Sequence, residues 1–593
     1  MLQHRAIKSR ASKRRNHTAA GILFALPWII GFLAFSLYPI IMSVYYSLTD
    51  FNMFQTPKFV GLENYSALFQ DEKFYKSLGN TLYMTILGTP LCLVAGLLLA
   101  VLLNQKVRAM PIFRTFFYLP SIVPLVASSM LWLWILNPQY GLLNNILQKL
   151  GLYQPNWLTA PRFTKPALLI MGVWGVGSIM IIFLAALQDV PRTLYEAAEI
   201  DGANALKRFF YITLPGISPA IFFQLIMGII NNFQYFTQAY LMIGSSTGGG
   251  LNVVSGGAEN SLLFYALYLY QNAFNLFKMG KASAMAWILF VVVAVVTAVV
   301  FKTQDRWVNN ASLARANKNI RRRKLCGKAV TVFLLVALSV VFLVPFAWML
   351  LTSLKSMEEV YQRTIFPTKL HFDNYILAVT QIPFLRYAWN TIVITALCVV
   401  GTVISSAMVA YSMSKVRWNG KKYLFPIIVA TMMIPYQVTL IPLYMIWNKL
   451  GLIGSIAPLV VPAFFGGAYY IFLLRQFFKS IPDSLLEAAE IDGAGEVRIF
   501  AQIMLPLCKP AMASVAIFTF INTWSDFMGP MLYLNRQESY TLSIGLQAFL
   551  QQHYVQWGIL MAASAIFTLP MLVLFFFAQK YFIEGITVTG VKG

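Results

Sequence analysis

Acidic residues are sparse in this chain, 21 in 593, and those that recur at a fixed spacing stand out. Residues 196–203 and residues 487–494 both read EAAEIDGA. The offset of 291 residues also aligns Pro191 with Pro482, Leu194 with Leu485, Phe209 with Phe500, Leu214-Pro215 with Leu505-Pro506, and Pro219 with Pro510. A shared offset over that distance means two copies of one unit. Each copy is a polar island between apolar runs long enough to cross a bilayer, so its acids suit recognition outside the membrane. They do not suit catalysis, because no nucleophile and base, or set of metal ligands, gathers at one depth. His4, His17, His371 and His553 show no ligand spacing, and neither a metal nor a cofactor is expected. Cys92, Cys326, Cys398 and Cys508 are scattered and make neither a disulfide framework nor a metal site. No GxxxxGK[ST] phosphate loop occurs, so the chain cannot cradle ATP phosphates by that route.

One further acid, Asp526, falls inside an apolar run. An ionisable group there is a functional candidate; the alternative is a residue that caps a helix or faces water near the outer interface. Trp524 beside it reads as an interfacial belt residue or as a platform for a ligand ring. At the repeat offset, Phe233, Gln234, Tyr235 and Phe236 take the places of Trp524 to Phe527. Such unlike linings suit an asymmetric ligand, with unequal drift of duplicated halves as the alternative.

The elements that must position these residues are membrane spans. The chain is 58% hydrophobic and 11% charged, against about 25% charged in soluble domains. Runs of roughly 20 apolar residues cross a bilayer. They occur near 20–45, 81–103, 112–136, 166–188, 217–243 and 283–301, and again near 328–352, 390–412, 423–447, 457–478, 509–533 and 558–579. The first is too long for a signal-peptide core and is expected to be retained. The net charge of +24 is concentrated in loops flanking spans, as the positive-inside rule requires, and without motif context it does not point to nucleic acid. It places both termini, the 304–327 linker and both islands in the cytoplasm.

The fold expected is therefore an all-α polytopic membrane protein. It has about 12 transmembrane helices in two parallel six-helix halves, 1–303 and 328–593, joined by the basic linker 304–327. The islands, about 189–215 and 480–506, each predict helix, glycine turn, helix. Pro191 and Pro482 suit a helix start, Leu194, Ala197 and Ala198 fall on one side, Gly202 and Gly493 suit a left-handed helix end, and the Leu-Pro pair breaks the second helix. Pro120, Pro124, Pro435 and Pro442 are expected to interrupt the third span of each half.

The pattern EAA, three residues, Gly, nine residues, Ile, one residue, Leu-Pro is met in both copies through Ile212 and Ile503. It resembles the EAA loop of binding-protein-dependent ABC importers. Both halves resemble the paired permease subunits of maltose-type carbohydrate importers, the second through NKLGLIG at 448–454, WSDF at 524–527 and GVKG at 590–593. The first half adds GNT at 79–81 and TGGG at 247–250. The family usually supplies the halves as separate chains and commonly carries Asn where Ser525 stands. The resemblance implies a type I ABC importer fold in a bacterial inner membrane and a pathway without its own motor. Two separate ATPase subunits would dock on Glu196, Ala197, Ala198, Asp201 and Gly202 and on Glu487, Ala488, Ala489, Asp492 and Gly493. It further implies an extracellular solute-binding protein and a sugar or oligosaccharide substrate, with Trp524, Asp526, Gln234 and Tyr235 as possible pathway residues. A twelve-helix secondary transporter would also show two parallel halves, but it would leave carboxylates or bases deep in the spans and give the repeated island no purpose.

Overall fold

In a bilayer no water is available for the backbone, so apolar runs must satisfy their own N–H and C=O groups, and here they become helices. The computed structural model describes residues 2–105, 107–246, 255–308, 325–362, 364–550 and 555–590. Most of the expected linker, residues 309–324, and the motifs at 247–250 and 591–593 lie outside them. Among the described residues, seven helices are long and apolar enough to cross a membrane unaided: His17–Ser47, Glu72–Leu103, Met279–Gln304, Ala329–Ser353, Phe384–Ser414, Ala457–Ser480 and Trp557–Ala578. Five bent pairs of helices meet the same test together, which brings the count to the expected twelve where each bent pair is one span. Among the described residues, β structure is confined to an antiparallel pairing of Thr49–Asp50 with Lys58–Phe59.

Four of the five bends fall in matched pairs, in the third span of each half and after each island, while the 47° bend between Pro161–Trp174 and Gly177–Asp189 has no counterpart in Ala457–Ser480. Met110–Ser121 and Leu125–Ile135 meet at 90°, and Lys421–Thr431 and Tyr436–Lys449 at 96°. Pro124 and Pro435 each stand just before the second helix of their pair, where a proline turns its predecessor out of the helical region. Pro442 does not interrupt its span as expected; it lies inside the Tyr436–Lys449 helix, because membrane helices absorb a proline when neighbours satisfy the freed carbonyl.

The chain forms two compact units, and neither is one sequence half. The first comprises residues 2–61, 386–541 and 578–590. In it the N-terminal helix packs among spans of the second half: Phe24 lies against Tyr411 and Phe500, each at 5.1 Å between ring centroids, and Phe35 stacks on Trp447. Close approach is possible at Gly21, where a Cβ would stand 2.5 Å from the Trp418 ring, and the Ser412 hydroxyl donates to the Gly21 carbonyl at 2.6 Å. Small residues and interhelical hydrogen bonds choose partners in lipid, where apolar burial alone does not discriminate.

The second unit comprises the described residues of 62–385 and 542–577. Here spans of the first half receive the first and last spans of the second. Trp174 Nε1 donates to the Phe342 carbonyl at 3.0 Å, Trp134 stacks on Trp557 at 4.7 Å, and Tyr118 packs on Phe575 at 5.0 Å.

Candidate functional site

The two islands fold alike, residue for residue at the 291 offset. Arg192–Ile200 matches Asp483–Ile491, Ala205–Arg208 matches Glu496–Ile499, and a π-helical turn follows in each, Phe209–Thr213 and Phe500–Met504. Gly202 and Gly493 end the first helices at φ of 75° and 81°. Beyond them the Ala203 and Ala494 amides return to the Ala198 and Ala489 carbonyls at 2.8 and 2.9 Å, closing the helix ends as a left-handed glycine allows. The next helices, Ser218–Phe233 and Lys509–Trp524, leave at 66° and 78°.

Glu196, Ala197, Asp201, Gly202, Glu487, Ala488, Asp492 and Gly493 are exposed, while Ala198 is half-buried and Ala489 buried. Of the three residues read as sharing one side, Leu194 and Ala198 are half-buried and Ala197 is exposed; in the second loop Leu486 and Ala489 face the core and Leu485 is exposed. Each loop also shows matched apolar side chains to the outside. Ile200 and Ile491 are 88% and 86% exposed, and Leu206 and Val497 are 69% and 63% exposed. These side chains are turned away from the rest of the chain in both loops.

The loops differ in how they are held. In the first, Arg208 pairs with Glu199 and the Tyr195 hydroxyl meets Thr213 Oγ1 at 2.9 Å. In the second, Lys415 bridges the Ile481 carbonyl and Asp483, both at 2.5 Å, and Arg417 pairs with Glu487 at 2.6 Å. The Lys415 hydrogen bond holds the Asp483 carboxyl below its ordinary range, and Glu487 raises the Arg417 guanidinium further.

The pathway candidates sit in a second matched feature. Span eleven is not continuous over 509–533: its helix stops at Trp524 and resumes as Met528–Tyr533. The equivalent helix stops at Phe233 and resumes at Thr237, so Gln234 and Tyr235 lie in one break and Asp526 in the other. Asp526 accepts the Gly529 amide at 3.2 Å, which fits the capping alternative. Trp524 is 4% exposed and stacks on Phe520 at 5.3 Å, so its ring is packed in protein rather than held at a lipid surface. Tyr235 packs on Phe264 at 5.0 Å.

Sequence spacing missed one cluster. His17 Nδ1 lies 2.9 Å from Glu496 Oε1, 479 residues away along the chain, and Glu490 joins them. Two differences between the repeats could have drawn notice to it: Glu496 stands for Ala205, and Ile499 for Arg208.

Residues 92–310 and 401–588 each match the family described as "Binding-protein-dependent transport system inner membrane component". A probable ABC transporter permease protein of Bacillus subtilis, YesP, is 42% identical over 51% of this chain and 96% of its own length. An arabinooligosaccharides transport system permease protein of the same organism, AraQ, is 33% identical over 45% of this chain and 95% of its own. A crystal structure of a bacterial ABC transporter for import of alginate aligns with 45% of this chain and 99% of its own chain at 26% identity and a TM-score of 0.41.

Proposed function

The chain belongs to the family of binding-protein-dependent transport system inner membrane components, and from that membership we propose that it carries two permease domains, 1–303 and 328–593, in one polypeptide joined by 304–327. It is a multi-pass permease of an importer and not itself an enzyme. The islands at 189–215 and 480–506 dock two separate ATPase subunits, which supply the driving force. The observation that carries this reading is the exposure of Ile200 and Ile491 on two loops of the same fold, beside exposed acids. Rigid helices of this kind pass a shift between packed arrangements where a mobile loop would absorb it.

An external binding protein delivers the substrate, and the termini, linker and islands face the cytoplasm of a bacterial cell. His17 and the second island meet in one unit, which supports a common side for the N-terminus and that island. The substrate is a sugar or oligosaccharide: relatives include permeases named for arabinooligosaccharides, lactose and sulfoquinovosyl glycerol. The breaks at 234–236 and 525–527 are the places where backbone and polar side chains become available to it, since irregular backbone at membrane depth belongs beside a cavity. Reconstitution in liposomes with the ATPase and binding protein tests the reading. Uptake of a labelled oligosaccharide should require ATP and the binding protein together, and uptake driven by an ion gradient without ATP would overturn it.

A further inference from the structure

The two islands match in fold, yet the second gathers charge where the first does not. In the first, Glu199 is met by Arg208. At the repeat offset that arginine becomes Ile499, and Ala205 becomes Glu496, so two carboxylates, Glu490 and Glu496, stand together. Arg417, whose charge also bears on Glu490, is engaged by Glu487 at 2.6 Å. His17 of the N-terminal helix closes on Glu496 Oε1 at 2.9 Å. The other oxygen of that carboxylate accepts the Tyr411 hydroxyl at 2.5 Å. Ligand atoms of His17, Glu490 and Glu496 all lie within 4.8 Å of one another.

We propose that His17, Glu490 and Glu496 form a divalent-cation site of the zinc or manganese class, tying the N-terminal helix to the second island. The donor set is one imidazole and two carboxylates. With the imidazole neutral, the site carries two negative charges, which a divalent cation balances and a protonated His17 alone does not. Zinc bonds to such donors are about 2.0–2.2 Å, which sets donor atoms roughly 3.3 Å apart. Glu490 is exposed and can swing to close that distance, while water takes the remaining position. Tyr411 orients the Glu496 carboxylate from behind, as hydrogen bonds to metal-ligating carboxylates commonly do. The cation would fix the second island to a helix from the opposite end of the chain, and among the described residues the first island has no equivalent. Its effect on coupling rests on the function proposed above; binding itself does not.

The tag-free full-length chain in detergent, stripped with chelator, is titrated with Zn2+ against a chromophoric chelator. Zinc is the sensitive probe because it binds such donors more tightly than manganese. One site is expected, at least tenfold tighter than in His17→Gln or Glu490→Gln. His17→Gln keeps a hydrogen-bonding side chain toward Glu496, so a plain helix-to-loop contact survives it and a metal site does not. Tyr411→Phe should weaken binding about tenfold. Parental protein that binds Zn2+ no more tightly than His17→Gln overturns the proposal, whatever transport assays on the islands report.

Discussion

Gly202 and Gly493, 291 residues apart, occupy the same left-handed turn, at φ of 75° and 81°, and nothing packs within 4 Å of where a Cβ would stand on either. A substitution there is therefore opposed by the backbone alone. A β-branched residue cannot hold this conformation without strain, whereas Asn visits it readily.

Gly493→Val and Gly202→Val should insert normally, lose transport and bind the ATPase more weakly, while Gly493→Asn should keep most of its activity. Binding-protein-stimulated ATP hydrolysis and uptake in liposomes provide the readout. Parental rates in both valine variants would remove the islands from the coupling route.

The Arg417–Glu487 pair holds the second island through side chains that are 68% and 53% exposed. Exposed pairs contribute little, so Arg417→Ala should cost less than about 1 kcal/mol of stability. Glu487→Ala in that background should add nothing attributable to the pair. A double-mutant cycle on melting temperature checks both statements, and a coupling well above 1 kcal/mol would show a desolvated pair instead.

Residues 304–327 are proposed only to join two domains that associate through their spans. Coexpression of 1–316 and 320–593 should then restore uptake to near the level of the intact chain. Both fragments should be found in the membrane, and if they are while uptake is absent, the linker does more than tether.

Cys326 lies at the linker's end, and Cys398 and Cys508 are buried while Cys92 is half-buried. With the other three replaced, an impermeant thiol reagent should label Cys326 only after cells are opened. Labelling in intact cells would invert the proposed topology.

Glu359 closes a capping box with Ser356 and accepts from the hydroxyl and amide of Thr368. Those hydrogen bonds, the Thr368 hydroxyl first, lower its carboxyl from 4.5 to about 2. A depressed folded value contributes stability that is complete above the ordinary carboxylate range and is lost as pH falls from about 4.5 toward 2. Glu359→Gln should melt lower than parental protein at pH 7, and the gap should narrow between pH 5 and pH 3. A gap that does not change with pH would mean the carboxylate charge is not what the loop uses.

Much of each island is legible in the amino-acid sequence. Two identical octapeptides with shared glycine, Leu-Pro and flanking spans specify a local fold, because helix starts, left-handed ends and proline breaks depend on a few neighbouring residues. Their buried side is less legible. Leu485 repeats Leu194 at the 291 offset, yet it is exposed while Leu486 and Ala489 face the core, since the side a short amphipathic helix buries depends on which neighbour is offered. Span eleven likewise reads as one apolar run, and only the folded chain displays the break at 525–527.

Sequence alone determined the number of spans, the duplication and the local form of both islands, because hydropathy, periodicity and turn chemistry act over tens of residues or fewer. Tertiary structure decided partnership. The N-terminal helix packs with spans of the second half, spans seven and twelve pack with the first, and His17 meets Glu490 and Glu496 across more than 470 residues. In lipid, one apolar helix face is as well solvated as another, so the choice falls to shape and a few polar contacts, such as Trp418 over Gly21 and Ser412 on its carbonyl. Those contacts leave no periodic trace in the chain.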